Sequence, residues 1–103
     1  MLTETEAWLK LEEVWLGPLA IDCDGDLHVH FNGQPHFGLC ACITDMYDIG
    51  LINITALHSM RDKIAVVDTH GGYLWPWTEA GAKARAAFCR KQINELTDSR
   101  GSE

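Results

Sequence analysis

Histidine and cysteine side chains are concentrated in one short stretch of this 103-residue chain, where they could together hold a metal ion. Zinc is bound by four nitrogen or sulfur ligands arranged as a tetrahedron. His28 and His30 lie two apart on a predicted strand and so point to one side of it, and His36 can approach them from the next strand. The candidate ligands are Cys23, His28, His30, His36, Cys40 and Cys42. Their spacing matches no common zinc pattern, so we expect no metal and interpret the strand histidines as solvent-facing.

Three aspartates, Asp22, Asp24 and Asp26, surround a glycine and so resemble part of a calcium-binding loop. An EF-hand needs glycine at its sixth position and a bidentate glutamate at its twelfth. Counted from Asp22, these positions hold Leu27 and Gly33, so the pattern fails. We interpret the segment as the polar tip of a hairpin.

A cysteine nucleophile with a histidine base is a further chemistry that the residue types allow. His58 or His70 would pair with Cys89 or Asp68. Cys89, however, falls in the middle of the apolar stripe of the last predicted helix, which is a poor place for a nucleophile. No glycine-rich phosphate loop, Ser-His-Asp order or paired-carboxylate motif stands out. We therefore expect a protein that is not an enzyme and that uses no cofactor.

The composition is typical of one globular domain. Apolar residues make up 47% of the chain and aromatic residues 9%, which excludes a disordered chain. No apolar run approaches the roughly 18 residues of a membrane-spanning helix, and the acidic, amphipathic amino terminus lacks the features of a signal peptide. We expect a cytoplasmic protein with free thiols, folded over residues 1–97 and frayed over 98–103.

Local signals predict an α+β fold that is mainly helical. Thr3 and Glu6 have the spacing of a capping box, which starts an amino-terminal helix. The turn dipeptides Asp24-Gly25 and Asn32-Gly33 predict a small antiparallel three-stranded meander. The strands are expected near 19–23, 27–31 and 34–37, and three further helices near 39–48, 53–66 and 79–96.

The segment Trp75-Pro76-Trp77, just before the last helix, has two interpretations. It is either a tongue that grips a partner or a wedge that closes the core. Small residues near the helix start allow a close approach, and each aromatic side chain buries up to about 150–250 Å². We therefore interpret the segment as a wedge. An aromatic residue left partly exposed would anchor an interface, and the candidates are Trp15, Tyr73 and Trp77.

Charge is distributed unevenly along the chain. Residues 1–60 contain nine acidic residues and one basic residue, whereas residues 61–103 contain six acidic and seven basic residues. The net charge of the whole chain is −7. The first sixty residues therefore cannot form a phosphate-tracking surface. Their acidity either keeps the protein soluble or forms a face that docks on a basic host surface, such as a nucleic-acid channel. For the docking interpretation, the candidate partner-binding residues are Glu12, Glu13, Asp22, Asp24 and Asp26.

A three-part pattern of packing residues extends over about residues 38–90: a Gly-Leu-Cys helix start, a Gly-Leu-Ile turn and a Tyr-Leu-Trp-Pro…Gly…Arg…Phe-Cys ending. The matching positions are Gly38, Leu39, Cys40, Gly50, Leu51, Ile52, Met60, Ile64, Tyr73, Leu74, Trp75, Pro76, Gly81, Arg85, Phe88 and Cys89. This pattern resembles that of a loose group of small accessory proteins of tailed phages and prophages. The resemblance carries no catalytic residues. It implies an accessory phage gene, a class whose products often block a host defence or a host enzyme.

The expected function is therefore that of a phage-encoded, non-enzymatic binding protein. It would inhibit or redirect a host protein or complex in the host cytoplasm, with a defence component as the expected target, as for anti-CRISPR proteins. We expect no direct contact with nucleic acid or membrane.

The alternative is a small helix-turn-helix regulator formed by residues 39–64, with Gly50 in the turn. Its second helix would present His58, Arg61 and Lys63, but also Asp62. The acidic residues that precede it would oppose the approach of DNA.

Overall fold

The computed structural model of the chain describes residues 1–67 and 75–101. Within these ranges it contains four helices and one three-stranded antiparallel sheet, which confirms the predicted α+β class. The elements are α1 (Glu4–Leu16), β1 (Ala20–Ile21), β2 (Leu27–Phe31), β3 (Gln34–His36), α2 (Leu39–Asp48), α3 (Ile54–Val67) and α4 (Glu79–Gly101). Within the same ranges, no helix has the length and apolar character needed to cross a membrane.

Helix α1 begins at the predicted capping box. The Thr3 side chain accepts from the Glu6 amide at 3.1 Å, and the Glu6 carboxylate accepts from the Thr3 amide at 2.9 Å, so two donors at the helix start are satisfied. The helix buries one face against α4, where the rings of Trp8 and Phe88 meet edge to face with centroids 5.7 Å apart. These two helices share the most extensive contact in the fold.

The sheet has the strand order β1-β2-β3, so the proline-containing strand β3 lies at an edge, where a missing backbone donor is tolerated. Asn32 and Gly33 both have positive φ, 55° and 75°. This is the conformation that a two-residue turn between β2 and β3 requires, and it explains why Asn-Gly occupies it.

Helices α2 and α3 are joined by a short turn in which Gly50 has a φ of 81°. Asn53 caps the start of α3, because its Oδ1 accepts from the Ala56 amide at 2.9 Å. Helix α3 packs one face into the core. The buried residues of this face are Ala56, Leu57, Met60 and Ile64.

Helix α4 starts at a cap, where the Thr78 hydroxyl accepts from the Gly81 amide at 3.1 Å. It continues to Gly101, past the predicted end at Leu96, because no proline or glycine interrupts it between Gly81 and Gly101. Phe88 is 8% exposed and belongs to the core. It fills the space between α1 and the segment that precedes α4.

That segment, residues 75–77, is called the arch below. It lies directly on the first turn of α4, where a Cβ atom at Gly81 would come within 1.8 Å of the Pro76 carbonyl oxygen. The Arg85 guanidinium donates to the carbonyls of Trp75 and Pro76 at 2.6 and 3.1 Å. The half-buried Trp75 ring packs on Phe88 with centroids 5.2 Å apart. Trp75 therefore closes the core, in agreement with the wedge interpretation.

Candidate partner-binding surface

The turn between β1 and β2 is organised by one carboxylate. Asp22 Oδ1 accepts from the amides of both Asp24 and Asp26 at 2.9 Å, and the Gly25 amide donates to the Asp22 carbonyl at 3.1 Å. Only Gly25 in this turn has a positive φ, 85°. The predicted two-residue turn at Asp24-Gly25 is therefore wrong, because the Asp22 side chain stabilises a longer one.

This arrangement also changes the role predicted for Asp22. Its side chain is half-buried and is used inside the turn, whereas Asp24 is exposed and Asp26 is half-exposed. The three carboxylates have oxygen atoms within 4.8 Å of one another. In the part of the chain that the structure describes, no lysine or arginine forms an ion pair with any of them. The tip of the hairpin is thus a compact site of negative charge, held in place by Asp22.

The acidic tip adjoins the arch. The Leu27 amide, one residue after Asp26, donates to the Trp77 carbonyl at 2.9 Å. Leu27 also pairs with Ile21 across β1 and β2. Ile21 is 66% exposed and Trp77 is 36% exposed, so two apolar side chains lie beside the acidic turn.

We call these four residues, Ile21, Asp24, Asp26 and Trp77, the tip surface. Three of them were candidates from the sequence, and Ile21 was missed. The sequence does contain a signal for the exposure of Ile21, because an apolar residue directly before an acidic turn on an edge strand has few neighbours to cover it. The surface combines exposed apolar groups with uncompensated carboxylates.

Glu12 does not belong to a free acidic face, which corrects its prediction as a partner-binding residue. Its carboxylate accepts from Arg90 Nε and from a terminal guanidinium nitrogen at 2.8 and 2.6 Å. This bidentate pair joins α1 to α4 and neutralises the charge locally. Glu13 is exposed on the same helix, and its role in binding stays a prediction.

The predicted aromatic anchors have different locations. Trp15 is only 2% exposed, and the Arg85 guanidinium lies 4.8 Å from its ring centroid. The prediction of Trp15 as an anchor is therefore wrong, because both α4 and the core cover its ring. Tyr73 lies outside the described residues. Trp77 is partly exposed, although its ring also packs against Phe37 with centroids 6.1 Å apart.

The strand histidines correct a second expectation. His30 is exposed as predicted, but His28 is 7% exposed and its ring lies 4.8 Å from that of Phe37. Phe37 in turn contacts Trp77. Phe37 therefore covers the outer face of β2 at His28 but leaves it open at His30, a difference that the alternation of apolar and polar residues within the strand could not indicate.

The six candidate zinc ligands are not brought together. His36 Nε2 lies 2.7 Å from Asp45 Oδ2, so it is used in a contact between β3 and α2. Cys42 is buried in the core, whereas Cys23 and Cys40 are exposed. Among the residues the structure describes, the group of three potential ligands that converges is the aspartate turn, and no histidine or cysteine belongs to it.

The arrangement does not favour a cysteine nucleophile at Cys89. Burial raises the pKa of the Cys89 thiol far above its ordinary value. Burial likewise raises the pKa of the Cys42 thiol to about 12. The thiolate is the nucleophilic form, so both side chains act as packing groups. Two of the predicted catalytic partners, Asp68 and His70, lie outside the described residues.

The predicted recognition helix of the helix-turn-helix alternative is α3. Its Lys63 forms an ion pair with Glu4 of α1, so that cation serves the fold. Arg61 and Asp62 are both exposed and carry opposite charges. The exposed face of α3 thus lacks the excess of positive charge that binding to phosphates needs.

No protein-family model, curated protein or solved structure matches this chain. The role of the tip surface is therefore inferred from its own geometry and charge.

Proposed function

We propose that the protein is a non-enzymatic binding protein that docks its tip surface on a basic surface of another protein. The observation that carries this proposal is the hydrogen bond from the Leu27 amide to the Trp77 carbonyl at 2.9 Å. It fixes the acidic turn beside the arch, so that an exposed aromatic ring and exposed carboxylates are presented together.

Each part of the tip surface has a distinct task in such a contact. Trp77 and Ile21 supply apolar area that becomes buried, and tryptophan is among the residues that dominate binding energy at interfaces. The face of the Trp77 ring also accepts an arginine guanidinium. Asp24 and Asp26 accept charge-assisted hydrogen bonds from lysine or arginine. A partner surface that combines basic with apolar side chains satisfies all four residues.

The charge of the whole amino-terminal part supports the same partner. Residues 1–60 contain nine acidic residues against one basic residue. A net field of this sign speeds the approach of a positively charged surface and repels other acidic proteins. It also repels nucleic acid, so the contact we propose is with a protein and not with DNA, RNA or an anionic membrane.

The proposal that the partner belongs to a bacterial host rests on the resemblance to small phage accessory proteins. We propose that the partner is a bacterial host protein or complex in the cytoplasm, and that binding inhibits or redirects it. Proteins that bind nucleic acid present clustered lysine and arginine. A host defence component that binds nucleic acid through clustered lysine and arginine therefore presents the positive charge that Asp24 and Asp26 of the tip surface would pair with.

The test is a comparison of two charge variants with identical charge change. The tip variant is Asp24→Asn with Asp26→Lys, and asparagine keeps a residue that turns accept before glycine. The control variant is Asp62→Asn with Glu95→Lys, two exposed positions on α3 and α4. Wild type, both variants and Trp77→Ala are used as bait in lysates of candidate hosts, and captured proteins are quantified by mass spectrometry.

We expect one host protein to be captured by wild type and by the control variant, and to be lost with the tip variant and with Trp77→Ala. Circular dichroism and melting temperature check that each variant is folded. If the tip variant and Trp77→Ala capture that protein as well as the wild type does, the proposed surface is wrong.

A further inference from the structure

A cavity of about 210 Å³ lies between the start of α2 and the arch. Phe37, Gly38 and Leu39 line one side of it, and Trp75, Trp77 and Arg85 line the other. The described residues that line it are therefore mainly apolar and aromatic, and Arg85 is the cationic side chain among them. This is the usual composition of a small-molecule site, in which a few polar groups fix the orientation of an apolar ligand.

Arg85 is the unusual feature of this cavity. It is 3% exposed, and its guanidinium hydrogen-bonds the carbonyls of Trp75 and Pro76 and lies over the Trp15 ring. These groups are all neutral. No carboxylate in the described part of the chain forms an ion pair with Arg85. Buried charges in proteins are normally paired, so a buried guanidinium without a counter-ion on the wall of a cavity favours an anion there.

Helix α2 adds to the same preference. It is ten residues long and begins beside the cavity at Gly38, which has no side chain to cap the helix start. The amino end of a helix carries partial positive charge and attracts anions. The guanidinium and the helix terminus belong to different elements, α4 and α2, and they meet at one cavity.

We propose that this cavity binds a small carboxylate with a flat apolar body. The carboxylate would pair with Arg85 and face the start of α2, and the apolar body would lie between Phe37 and the tryptophans of the arch. A planar carboxylate matches the fork of a guanidinium. The cavity is smaller than the roughly 300–1,000 Å³ of sites for larger ligands, which favours a small ligand. This proposal is independent of the partner proposed for the tip surface.

The probe is benzoate, titrated into the isolated protein at constant ionic strength. Benzamide serves as the neutral analogue of the same shape, and inorganic phosphate as the competing anion class. Binding is followed by melting temperature and by tryptophan fluorescence, because Trp75 and Trp77 line the cavity. At ten times its Kd, benzoate should raise the melting temperature by about 6–11 °C. Benzamide and phosphate should produce no saturable change.

A cavity-filling variant provides the matched control. The φ of Gly38 is −152°, which is ordinary extended backbone, and an added Cβ would meet no atom within 4 Å. Gly38→Leu should therefore fold normally, fill the cavity and abolish the response to benzoate. If benzoate gives no saturable response with wild type, or an undiminished one with Gly38→Leu, the proposed site is wrong. A response to phosphate alone would contradict the ligand class.

A second pair of variants tests the charge without any ligand. Gly38→Asp and Gly38→Asn both place a good capping residue at the start of α2, but only aspartate adds a carboxylate beside Arg85. Gly38→Asp should melt about 1–8 °C above Gly38→Asn. Equal melting temperatures would show that the cavity does not favour an anion.

Discussion

Replacing Gly81 with alanine should destabilise the protein, although the same change in an ordinary helix stabilises it. Alanine at an interior helix position is favoured over glycine by about 1 kcal/mol. At Gly81, however, the new Cβ would lie 1.8 Å from the Pro76 carbonyl oxygen and 2.8 Å from the carbonyl carbon. These are backbone atoms of the arch, so no side-chain rotation relieves the clash. The arch must move away from α4.

The cost of moving the arch can be estimated from its contacts. Two hydrogen bonds from the charged Arg85 are lengthened or lost, at about 1.5–3 kcal/mol each, and the packing of Trp75 on Phe88 is loosened. Partial relaxation of the arch recovers some of this loss, and the higher helix propensity of alanine stabilises α4 by about 1 kcal/mol. We expect a net loss of about 2–3 kcal/mol in the free energy of unfolding. For a domain of this size the melting temperature should fall by about 10–20 °C.

Urea and thermal unfolding of Gly81→Ala measure this loss directly. The matched control is Ala87→Gly at an exposed position of the same helix, which reports helix propensity alone and should cost about 1 kcal/mol. If Gly81→Ala is as stable as wild type or more stable, the arch does not pack on the first turn of α4, and both the tip surface and the cavity lose their structural basis.

Three further predictions concern the core and the helix ends. Burial raises the pKa of Glu4, but hydrogen bonds from Lys63 and two other side chains outweigh it and hold that pKa below its ordinary value of 4.5. Glu4 therefore stabilises the fold above about pH 4.5, and its contribution is lost as the pH falls through the folded-state pKa. Glu4→Gln should lower the free energy of unfolding by about 1–2 kcal/mol near pH 7 and by progressively less in acid. Urea unfolding at several pH values measures this loss, and a loss that does not change with pH would contradict the prediction. Thiol titration should find two fast thiols in the folded protein and two more, Cys42 and Cys89, only in denaturant, and four fast thiols in the folded state would refute their burial. Asn53→Ala should lower the free energy of unfolding by about 1 kcal/mol through loss of the α3 cap, and an unchanged urea midpoint would argue against that cap.

Sequence signals located the helices and strands well where the cause of the structure is local. The capping box at Thr3 and Glu6, the Asn32-Gly33 turn and the cap at Thr78 depend on residues a few positions apart. The geometry of each cap or turn is therefore determined by residues that are close together in the sequence. Most bounds of the elements therefore followed from patterns in the sequence. The exceptions are the end of α4, which has no stop signal before Gly101, and β1, which was predicted near 19–23 and extends only over Ala20–Ile21 because Asp22 belongs to the turn.

The errors arose where the outcome depends on contacts between distant segments. Trp15 and Glu12 both lie on α1, and only the packing of α4 decides that the first is buried and that the second pairs with Arg90. His28 alternates as an exposed strand residue does, yet Phe37 covers it. Periodicity alone could not show that Trp77 lies beside the acidic hairpin, because the contact joins Leu27 to a segment fifty residues further along the chain.

The most direct test of the proposed function is the rate at which the captured host protein associates with this protein. The purified host protein is immobilised, and association is measured for wild type, the tip variant and the control variant at low and at physiological salt. We predict that the tip variant associates at least about tenfold more slowly than wild type at low salt. The control variant should stay close to wild type, and the difference between tip variant and wild type should shrink as salt rises. Equal association rates for the tip and control variants at both salt concentrations would contradict the claim that Asp24 and Asp26 face a basic partner.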